Sequence, residues 1–325
     1  MLGIELTPEH PVGRLAELAV ATEDEGFDTV FVSHHYNNRD EFAVLAALAE
    51  ATDSIQLGPG VTNPYETHPV TLASRMATVD ELSEGRGVFG LGAGDRSTLA
   101  NLGFDRERPL SRVLETMQVA RRLWAGERVD HDGTFTVADA GLNYDVGSVP
   151  VYVGAQGPDM TRMAAKYADG VLYNGSHTRD VEWASERVSE GLSDRDGGES
   201  SFDFVAYASV SVAETGERAR EAARPPVAFI AGGAPGPVLT RHGIDESRAQ
   251  TLGENIEAGE FSAAFDLVTE RMIDAFCIAG TPGEVSDQVS RLLETADGVV
   301  LGSPLGPDIE EAITLLGESF PANQG

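Results

Sequence analysis

One repeating unit constrains how this chain can fold. A helical stretch ends in an acidic or small residue, often with glycine, and a short apolar run follows that stops at Gly, Ser, His or Asn. Most of these runs lack polar alternation, which is typical of parallel strands buried on both faces. There are eight of them, at 2–6 (LGIEL), 29–35 (TVFVSHH), 54–60 (SIQLGPG), 87–94 (GVFGLGAG), 149–156 (VPVYVGAQ), 171–176 (VLYNGS), 204–212 (FVAYASVSV) and 299–304 (VVLGSP).

Eight β-then-α units predict an α/β fold of the (β/α)8 TIM barrel type. The rival, a doubly wound open sheet, needs only five or six strands. Segments 126–148 and 214–280 exceed a minimal barrel, and we interpret both as insertions, the second with several helices. No linker divides the chain, so we expect one domain over residues 1–325. Helical patterns separate the runs at 11–25, 39–52, 69–84, 108–125, 159–168, 180–193, 282–296 and 308–319.

The net charge of the chain limits the classes of partner that it can bind. Acidic residues number 53 against 23 basic ones, and the formal net charge is −30. A polyacid repels phosphate backbones, which argues against nucleic acids and anionic membrane surfaces as partners. Because the acidic residues are dispersed and salt relieves their repulsion, we expect a salt-filled cytoplasm, as in extreme halophiles.

Other sequence features exclude further classes of protein. No run of about 18 apolar residues predicts a membrane span, and no basic stretch followed by an apolar one predicts a signal peptide. The single cysteine, Cys277, excludes an intrachain disulfide framework and stands in an apolar run. No group of His and Cys residues has metal-ligand spacing, so we expect no metal site.

The first strand carries a carboxylate between two apolar residues. Glu5 stands between Ile4 and Leu6. A buried carboxylate is costly unless it is paired or protonated. In a closed pocket its pKa would rise, and it could act as an acid near neutral pH. A structural ion pair, or a strand end in water, is the alternative.

Two further strand ends carry polar side chains. His34 and His35 end the second run, and because adjacent strand residues face opposite ways, we expect one to meet a ligand and the other to be satisfied in the core. The fourth run ends in glycines and Asp95, which stands where a GxGxxG fingerprint needs glycine, so that motif fails. Asp95 either caps a helix or acts in catalysis.

Glycine and proline mark three more strand ends. Gly58-Pro59-Gly60 stops the third run, and Thr62 and Asn63 follow with side chains that can hydrogen-bond flat polar rings. Gln156-Gly157-Pro158 and Asn174-Gly175-Ser176 end the fifth and sixth runs. Pro158 is well placed to open a helix whose free N–H groups would receive an anion such as phosphate. Ordinary turn chemistry is the alternative.

Taken together and in order, these segments resemble a known family. GIEL, HHYNN, LGPGVTNPY, DELSEGRGVFGLGAGD, VYVGAQGPDM, VAFIAGG followed by RHG, and LGSPLGPD are similar to segments of the 5,10-methylenetetrahydromethanopterin reductases of the bacterial-luciferase-like superfamily. The glycines of the fourth strand are shared across that superfamily, whereas GPGVTNPY with GAQGP is narrower. The resemblance implies coenzyme F420, an 8-hydroxy-5-deazaflavin, as the hydride carrier, a pterin substrate, and a homo-dimer or tetramer.

The resemblance also implies roles for individual residues. A non-prolyl cis peptide would join Gly60 to Val61 and back the deazaflavin ring, and Thr62 and Asn63 would reach the ring or its ribityl chain. Glu5 would be the proton donor that opens the five-membered ring of the methylene-pterin, and hydride transfer would then give the methyl form. The other cofactor-binding positions would be His35 and, at the phosphate end, Gln156, Gly157, Pro158, Asn174 and Ser176.

The sequence departs from the family at one position and leaves the substrate open. The family commonly has Asp-His where this chain has His34-His35, which changes the local charge. Salt-loving archaea generally use tetrahydrofolate, so the carrier is either tetrahydromethanopterin or tetrahydrofolate, with discriminating contacts expected in 224–243. The alternative functions are an FMN monooxygenase, an F420-dependent alcohol dehydrogenase, and a non-enzymatic barrel that has lost its cofactor.

Overall fold

A computed structural model describes residues 1–195 and 201–320, and the elements below are those of these residues. The strands are β1 (Leu2–Leu6), β2 (Thr29–Val32), β3 (Gln56–Pro59), β4 (Phe89–Leu91), β5 (Val129–Asp132), β6 (Thr136–Ala140), β7 (Val151–Ala155), β8 (Gly170–Asn174), β9 (Asp203–Val212), β10 (Ile278–Gly280) and β11 (Gly298–Leu305). The helices are α1 (Val12–Asp24), α2 (Glu41–Ala51), α3 (Pro69–Leu82), α4 (Arg96–Asn101), α5 (Pro109–Trp124), α6 (Pro158–Tyr167), α7 (Thr178–Ser193), α8 (Gly216–Gly233), α9 (Gly236–His242), α10 (Glu246–Glu257), α11 (Phe261–Asp266), α12 (Glu270–Phe276), α13 (Pro282–Leu293) and α14 (Ile309–Ser319).

Eight parallel strands curl into a barrel. Their hydrogen-bonded order is β3-β2-β1-β11-β9-β8-β7-β4. The two ends of this sheet meet because parallel bridges join Leu57 to Gly87 and Thr62 to Leu91, between β3 and β4. The eight predicted apolar runs are the eight barrel strands, so the predicted (β/α)8 architecture is confirmed.

The helices around the barrel begin at residues that favour helix starts. The carboxylates of Asp40 and Asp308 accept backbone N–H groups at the starts of α2 and α14, and Pro69, Pro158 and Pro282 occupy the first turns of α3, α6 and α13. The eight predicted helical patterns match α1, α2, α3, α5, α6, α7, α13 and α14, and their ends differ most at α13, which ends at 293 rather than 296. In the described part of the chain, no helix has the combined length and apolar character needed to cross a membrane.

Both segments beyond a minimal barrel contain secondary structure. Segment 126–148 holds the antiparallel hairpin β5-β6, and segment 214–280 holds the helices α8 to α12. These helices share a separate hydrophobic cluster, in which Cys277 is buried. The same segment ends in β10, which pairs with β9 in parallel and was not predicted. Three residues are too short a run to be distinguished from the helical sequence before them.

Alternation along the strands divides the core into two layers. One face of each strand, represented by Ile4 and Leu6 on β1, packs in the large cluster beneath the helices. The other face points to the barrel axis, which explains why the runs are apolar throughout. The axial cluster consists of Phe31, Val88, Tyr152, Leu172, Val205 and Val300, with Val61 and Tyr207 packed against it.

The segment directly after β3, residues 60–63, is named here the β3 bulge. Its Gly60–Val61 peptide bond is cis, as the family resemblance implies. The Val61 side chain fits between glycines of two strands: a Cβ atom at Gly92 would lie 2.5 Å from Val61 Cγ2, and one at Gly154 would lie 2.9 Å from it. A Cβ at Gly90 would lie 3.2 Å from Val61 Cγ1. The glycines at the end of β4 therefore make room for one valine.

Replacing Gly92 by alanine should therefore destabilise the barrel. Gly92→Ala adds a methyl group against Val61, and overpacking of this kind costs about 1–3 kcal/mol in the free energy of unfolding measured with denaturant. Gly283→Ala in α13 is the control, because nothing lies within 4 Å of a Cβ there. Combining Gly92→Ala with Val61→Ala should cost less than the two changes summed; a fully additive cost would contradict this packing.

Candidate active site

Glu5 projects from β1 toward the barrel axis. Its Oε2 accepts a hydrogen bond of 3.0 Å from the backbone N–H of Ser303, and the Ser33 side chain is a second hydrogen-bond partner. Burial raises the pKa of the Glu5 carboxyl above its ordinary value, against the opposing effect of these hydrogen bonds. Both contacts come from hydrogen-bond donors of the protein, and within the described residues Glu5 forms no salt bridge, so the structural ion pair left open by the sequence is not what the geometry shows.

Tyr207 lies beside Glu5 in the barrel and was missed in the sequence analysis. Burial raises the pKa of its phenol well above the ordinary value, and the charge of Glu5, when that carboxyl is ionised, adds to this effect. Its hydroxyl donates a long hydrogen bond, 3.4 Å, to the carbonyl oxygen of Gly60. Tyr207 thus contacts the β3 bulge from a position close enough to Glu5 to be affected by its charge. The signal was the same as for Glu5, a polar group inside an apolar strand.

The side chains of Thr62 and Asn63 are buried and hydrogen-bonded within the protein. Thr62 Oγ1 donates to Glu41 Oε1 at 2.9 Å, and its backbone N–H donates to Gly90 O at 3.1 Å. Asn63 Nδ2 donates to Glu66 Oε1 at 2.8 Å. These bonds fix the shape of the β3 bulge, while contact of the two side chains with a ring stays a prediction.

His34 holds the two carboxylates of this network together. Its Nδ1 lies 2.8 Å from Glu41 Oε2, and its Nε2 lies 3.1 Å from Glu66 Oε1. Burial alone would lower the pKa of the imidazole, but the hydrogen bonds and charges of Glu41 and Glu66 raise it to about 9. Both ring nitrogens therefore donate, and His34 is a cation at neutral pH.

The neighbouring His35 contacts a different set of residues. It is partly exposed, and its ring stacks on that of Tyr36 with centroids 4.5 Å apart. His34 is thus satisfied by two protein carboxylates, whereas the ring of His35 packs on Tyr36 and accepts the backbone N–H of Asn37. A contact between His35 and a cofactor stays a prediction.

Asp95 caps a short helix. Its Oδ1 accepts the backbone N–H of Thr98 at 2.8 Å and a hydrogen bond from the Ser97 hydroxyl, at the start of α4. Burial alone would raise the pKa of this carboxyl, but these hydrogen bonds lower it. Asp95 is thus ionised at neutral pH, and Glu5 is the better placed of the two to carry a proton. Helix α4, six residues long, was not predicted from the sequence.

The ends of β7 and β8 form a small cleft. A cavity of about 30 Å³ is lined there by Gln156, Asn174, Ser176 and neighbouring residues. Gln156 and Asn174 are exposed, and Gly157 and Pro158 begin α6 beside them. Ser176 is engaged in the fold: its hydroxyl donates to Phe276 O at 3.1 Å and accepts the Ser209 N–H at 3.0 Å.

With this geometry described, comparison with known proteins identifies the family. The model of the luciferase-like monooxygenase family matches residues 2–297. This chain belongs to that family. Within it, the chain is 42% identical over 324 residues to the 5,10-methylenetetrahydromethanopterin reductase of Archaeoglobus fulgidus, covering 98% of each chain. It is 40% identical to the reductase of the same name from Methanolobus tindarius, again over 98% of each.

Solved structures agree with this placement among the luciferase-like barrels. The coenzyme F420 dependent tetrahydromethanopterin reductase from Methanopyrus kandleri superposes with a TM-score of 0.90 at 38% identity, covering 98% of this chain and 97% of that one. An F420-dependent secondary alcohol dehydrogenase has a TM-score of 0.82 at 22% identity, over 100% of this chain and 99% of that one, and shows the shared fold alone. The family resemblance stated from the sequence is therefore confirmed.

Among residues 1–195 and 201–320, no group of three or more His, Cys, Asp or Glu side chains is arranged to hold a metal ion. This part of the barrel contains the partly buried carboxyl of Glu5, the phenol of Tyr207 and the β3 bulge, whose Thr62 shares Glu41 with His34.

The charge on His34 predicts a pH-dependent stability. The imidazole pKa rises from 6.5 to about 9 on folding, so its contribution is complete below pH 6.5 and is lost as the pH rises through about 9. The shift corresponds to about 3 kcal/mol in the free energy of unfolding. His34→Gln should be less stable than the wild type at pH 6.5, with the difference closing by pH 10.

Denaturant unfolding of both proteins across this pH range measures the effect. His10→Gln is the matched control, because His10 is exposed. A constant difference between His34→Gln and the wild type at all these pH values would show that His34 is not a buried cation.

Proposed function

We propose that this protein is a coenzyme F420-dependent reductase that converts a 5,10-methylene-tetrahydropterin into its 5-methyl form. The observation that carries the proposal is the full-length similarity to 5,10-methylenetetrahydromethanopterin reductases, 42% identity over 98% of both chains. Similarity of this extent covers the barrel and both added segments, whereas the likeness to the secondary alcohol dehydrogenase extends to the fold alone.

The residues at the barrel mouth fit the cofactor. The exposed amides of Gln156 and Asn174, with the start of α6 at Gly157, form a set of donors suited to a phosphate group. The Gly60–Val61 peptide of the β3 bulge would lie behind the deazaflavin ring. When bound, reduced F420 supplies the hydride.

Glu5 would supply the proton. Burial keeps this carboxyl protonated to a higher pH than usual, and the Ser303 N–H holds its Oε2 in place. The proton would pass to a ring nitrogen of the pterin, which makes the methylene carbon ready to accept hydride. Tyr207 stays protonated, because its pKa is raised well above the ordinary value, and its hydroxyl can hold the β3 bulge in place through Gly60.

The identity of the pterin is a separate part of the proposal. The names of the relatives favour tetrahydromethanopterin, whereas the acidic composition motivates tetrahydrofolate as the second candidate. Reduced F420 should be mixed anaerobically, in molar KCl, with each methylene-tetrahydropterin in turn. Oxidation of F420 that depends on one pterin identifies the substrate. Failure with both, in a protein that is folded, would contradict the proposed function.

The setting of the enzyme is also a proposal. We place it in a salt-rich cytoplasm as a single-domain homo-oligomer, on the basis of a formal net charge of −30 and the family resemblance. Sedimentation in a series of KCl concentrations tests the salt requirement and the assembly together. Repulsion between the acidic subunits should prevent assembly at low salt, and the oligomer should form when salt screens that repulsion.

Replacing Glu5 by glutamine tests its role directly. Glu5→Gln keeps the size and polarity of the side chain but removes the acidic proton, so kcat should fall about 10²–10⁴-fold while F420 affinity is retained. Glu17→Gln, at an exposed position of α1, is the control.

The pH profile gives a second readout for the same residue. The wild-type rate should fall as the pH rises through the raised pKa of Glu5, and the residual rate of Glu5→Gln should lack this limb. An unchanged kcat in Glu5→Gln would exclude Glu5 as the proton donor.

A further inference from the structure

One imidazole is connected through two carboxylates to both side chains at the end of the β3 bulge. His34 Nδ1 lies 2.8 Å from Glu41 Oε2, and the other oxygen of that carboxylate accepts the Thr62 hydroxyl at 2.9 Å. His34 Nε2 lies 3.1 Å from Glu66 Oε1, and the same oxygen accepts Asn63 Nδ2 at 2.8 Å. We call these five residues the histidine network.

The two bulge side chains are used inside the protein. Thr62 and Asn63 are only 2% and 3% exposed. The Thr62 hydroxyl proton goes to the histidine network, and Asn63 Oδ1 accepts the backbone N–H groups of Tyr65 and Glu66 at 3.1 and 3.2 Å. The histidine network therefore controls where the bulge lies, because it holds the side chains that the bulge backbone carries.

Backbone hydrogen bonds anchor the same segment to its neighbouring strands. The N–H of Gly60 donates to Val32 O at 2.8 Å, and the N–H of Thr62 donates to Gly90 O at 3.1 Å. The N–H of Gly92 donates to Thr62 O at 2.8 Å. The β3 bulge is thus held by its backbone and, through the histidine network, by its side chains, and only the second attachment depends on charge.

The histidine network needs two N–H groups on one ring. A protonated His34 donates to both carboxylates, whereas a neutral ring has a single N–H and turns a lone pair toward the second carboxylate. The charges that act on His34 are those of Glu41 and Glu66, since Asp40, next to Glu41 in the chain, pairs with Arg75 at 3.9 Å. Burial alone would lower the pKa of His34, but the two carboxylates raise it to about 9. The network is therefore complete at neutral pH and loses one hydrogen bond above about pH 9.

We propose that His34, Glu41 and Glu66 are positioning residues for the cofactor, because they hold the β3 bulge in the shape to which F420 binds. This inference rests on the proposed function, since it takes the bulge as the surface behind the deazaflavin ring. The competing explanation is structural: the network would then stabilise the folded chain, and the backbone hydrogen bonds alone would set the shape of the bulge.

The proposal links cofactor binding to the protonation of His34. Because F420 binds the complete network better than the incomplete one, binding raises the pKa of His34 further. Binding near pH 9 should therefore take up a proton, whereas at pH 7 His34 is already charged and takes up none. The affinity of the wild type for F420 should fall about tenfold as the pH rises from about 8 to about 10.5.

Calorimetric titration with F420 at pH 7 and pH 9 measures this linkage, with buffers of different ionisation enthalpy to count the protons. Ionisation of the cofactor itself contributes equally to every protein, so the difference between the wild type and His34→Gln isolates the histidine. The variant should lack the additional proton uptake at pH 9. It should bind F420 about tenfold more weakly than the wild type at pH 7, and this difference should close by about pH 10.5.

Two further variants complete the test. Glu41→Gln keeps an acceptor for Thr62 but removes one of the two charges that act on His34, so the proton uptake should move to lower pH. This variant also decides the matter where His34→Gln does not fold. His131→Gln is the matched control, because it breaks a histidine–glutamate contact of 3.1 Å outside the histidine network, and it should behave like the wild type at every pH.

Equal proton uptake by the wild type and His34→Gln, with a ratio of affinities that is constant in pH, would overturn the inference and leave the network a structural role. Proton uptake by Glu41→Gln at the same pH as by the wild type would do the same. Failure of the wild type to bind F420 at any pH would instead overturn the proposed function, so the two failures are distinguishable.

Discussion

The fit of Val61 between the glycines of β4 and β7 determines how this barrel closes. The side chain can occupy that space only because Gly90, Gly92 and Gly154 have no Cβ. Directly after it, Thr62 bridges to Leu91 and joins the two ends of the sheet. The same short segment therefore completes the barrel and presents its backbone to the mouth. The shape of the surface proposed to contact the cofactor is thus set by the contacts that close the barrel.

Much of the architecture was predictable because each strand and helix of the barrel is specified by residues within or next to it in the sequence. A buried parallel strand needs a continuous apolar run, and each run ends where glycine or a polar residue begins the loop. Helix starts are equally local, as Asp40 and Pro69 show. The elements that the sequence did not predict are those that form only by pairing with a part of the chain distant in sequence. Strand β10 is defined by pairing with β9, and nothing within Ile278–Gly280 distinguishes it from the helical sequence before it.

The site was predictable only in part, for a related reason. Glu5 was recognisable because a carboxylate among apolar residues has to be explained. Tyr207 is also a polar group in an apolar strand, but a tyrosine there is less unusual. Glu41 and Glu66 had no feature in the sequence that marked them as part of a site, because each is an acidic residue at a helix start or in a loop. Their importance arises from His34, which lies 7 and 32 positions away from them in the chain and brings them together in space.

The same contact between His34 and two carboxylates makes three positions of the chain electrostatically dependent on one another. An aspartate at position 34 would place three like charges together with Glu41 and Glu66 in one network. A change at any one of positions 34, 41 and 66 therefore changes the balance of charge around the other two. Replacing one of these three residues by that of a homologue, without changing the other two, would leave unbalanced charge in the network.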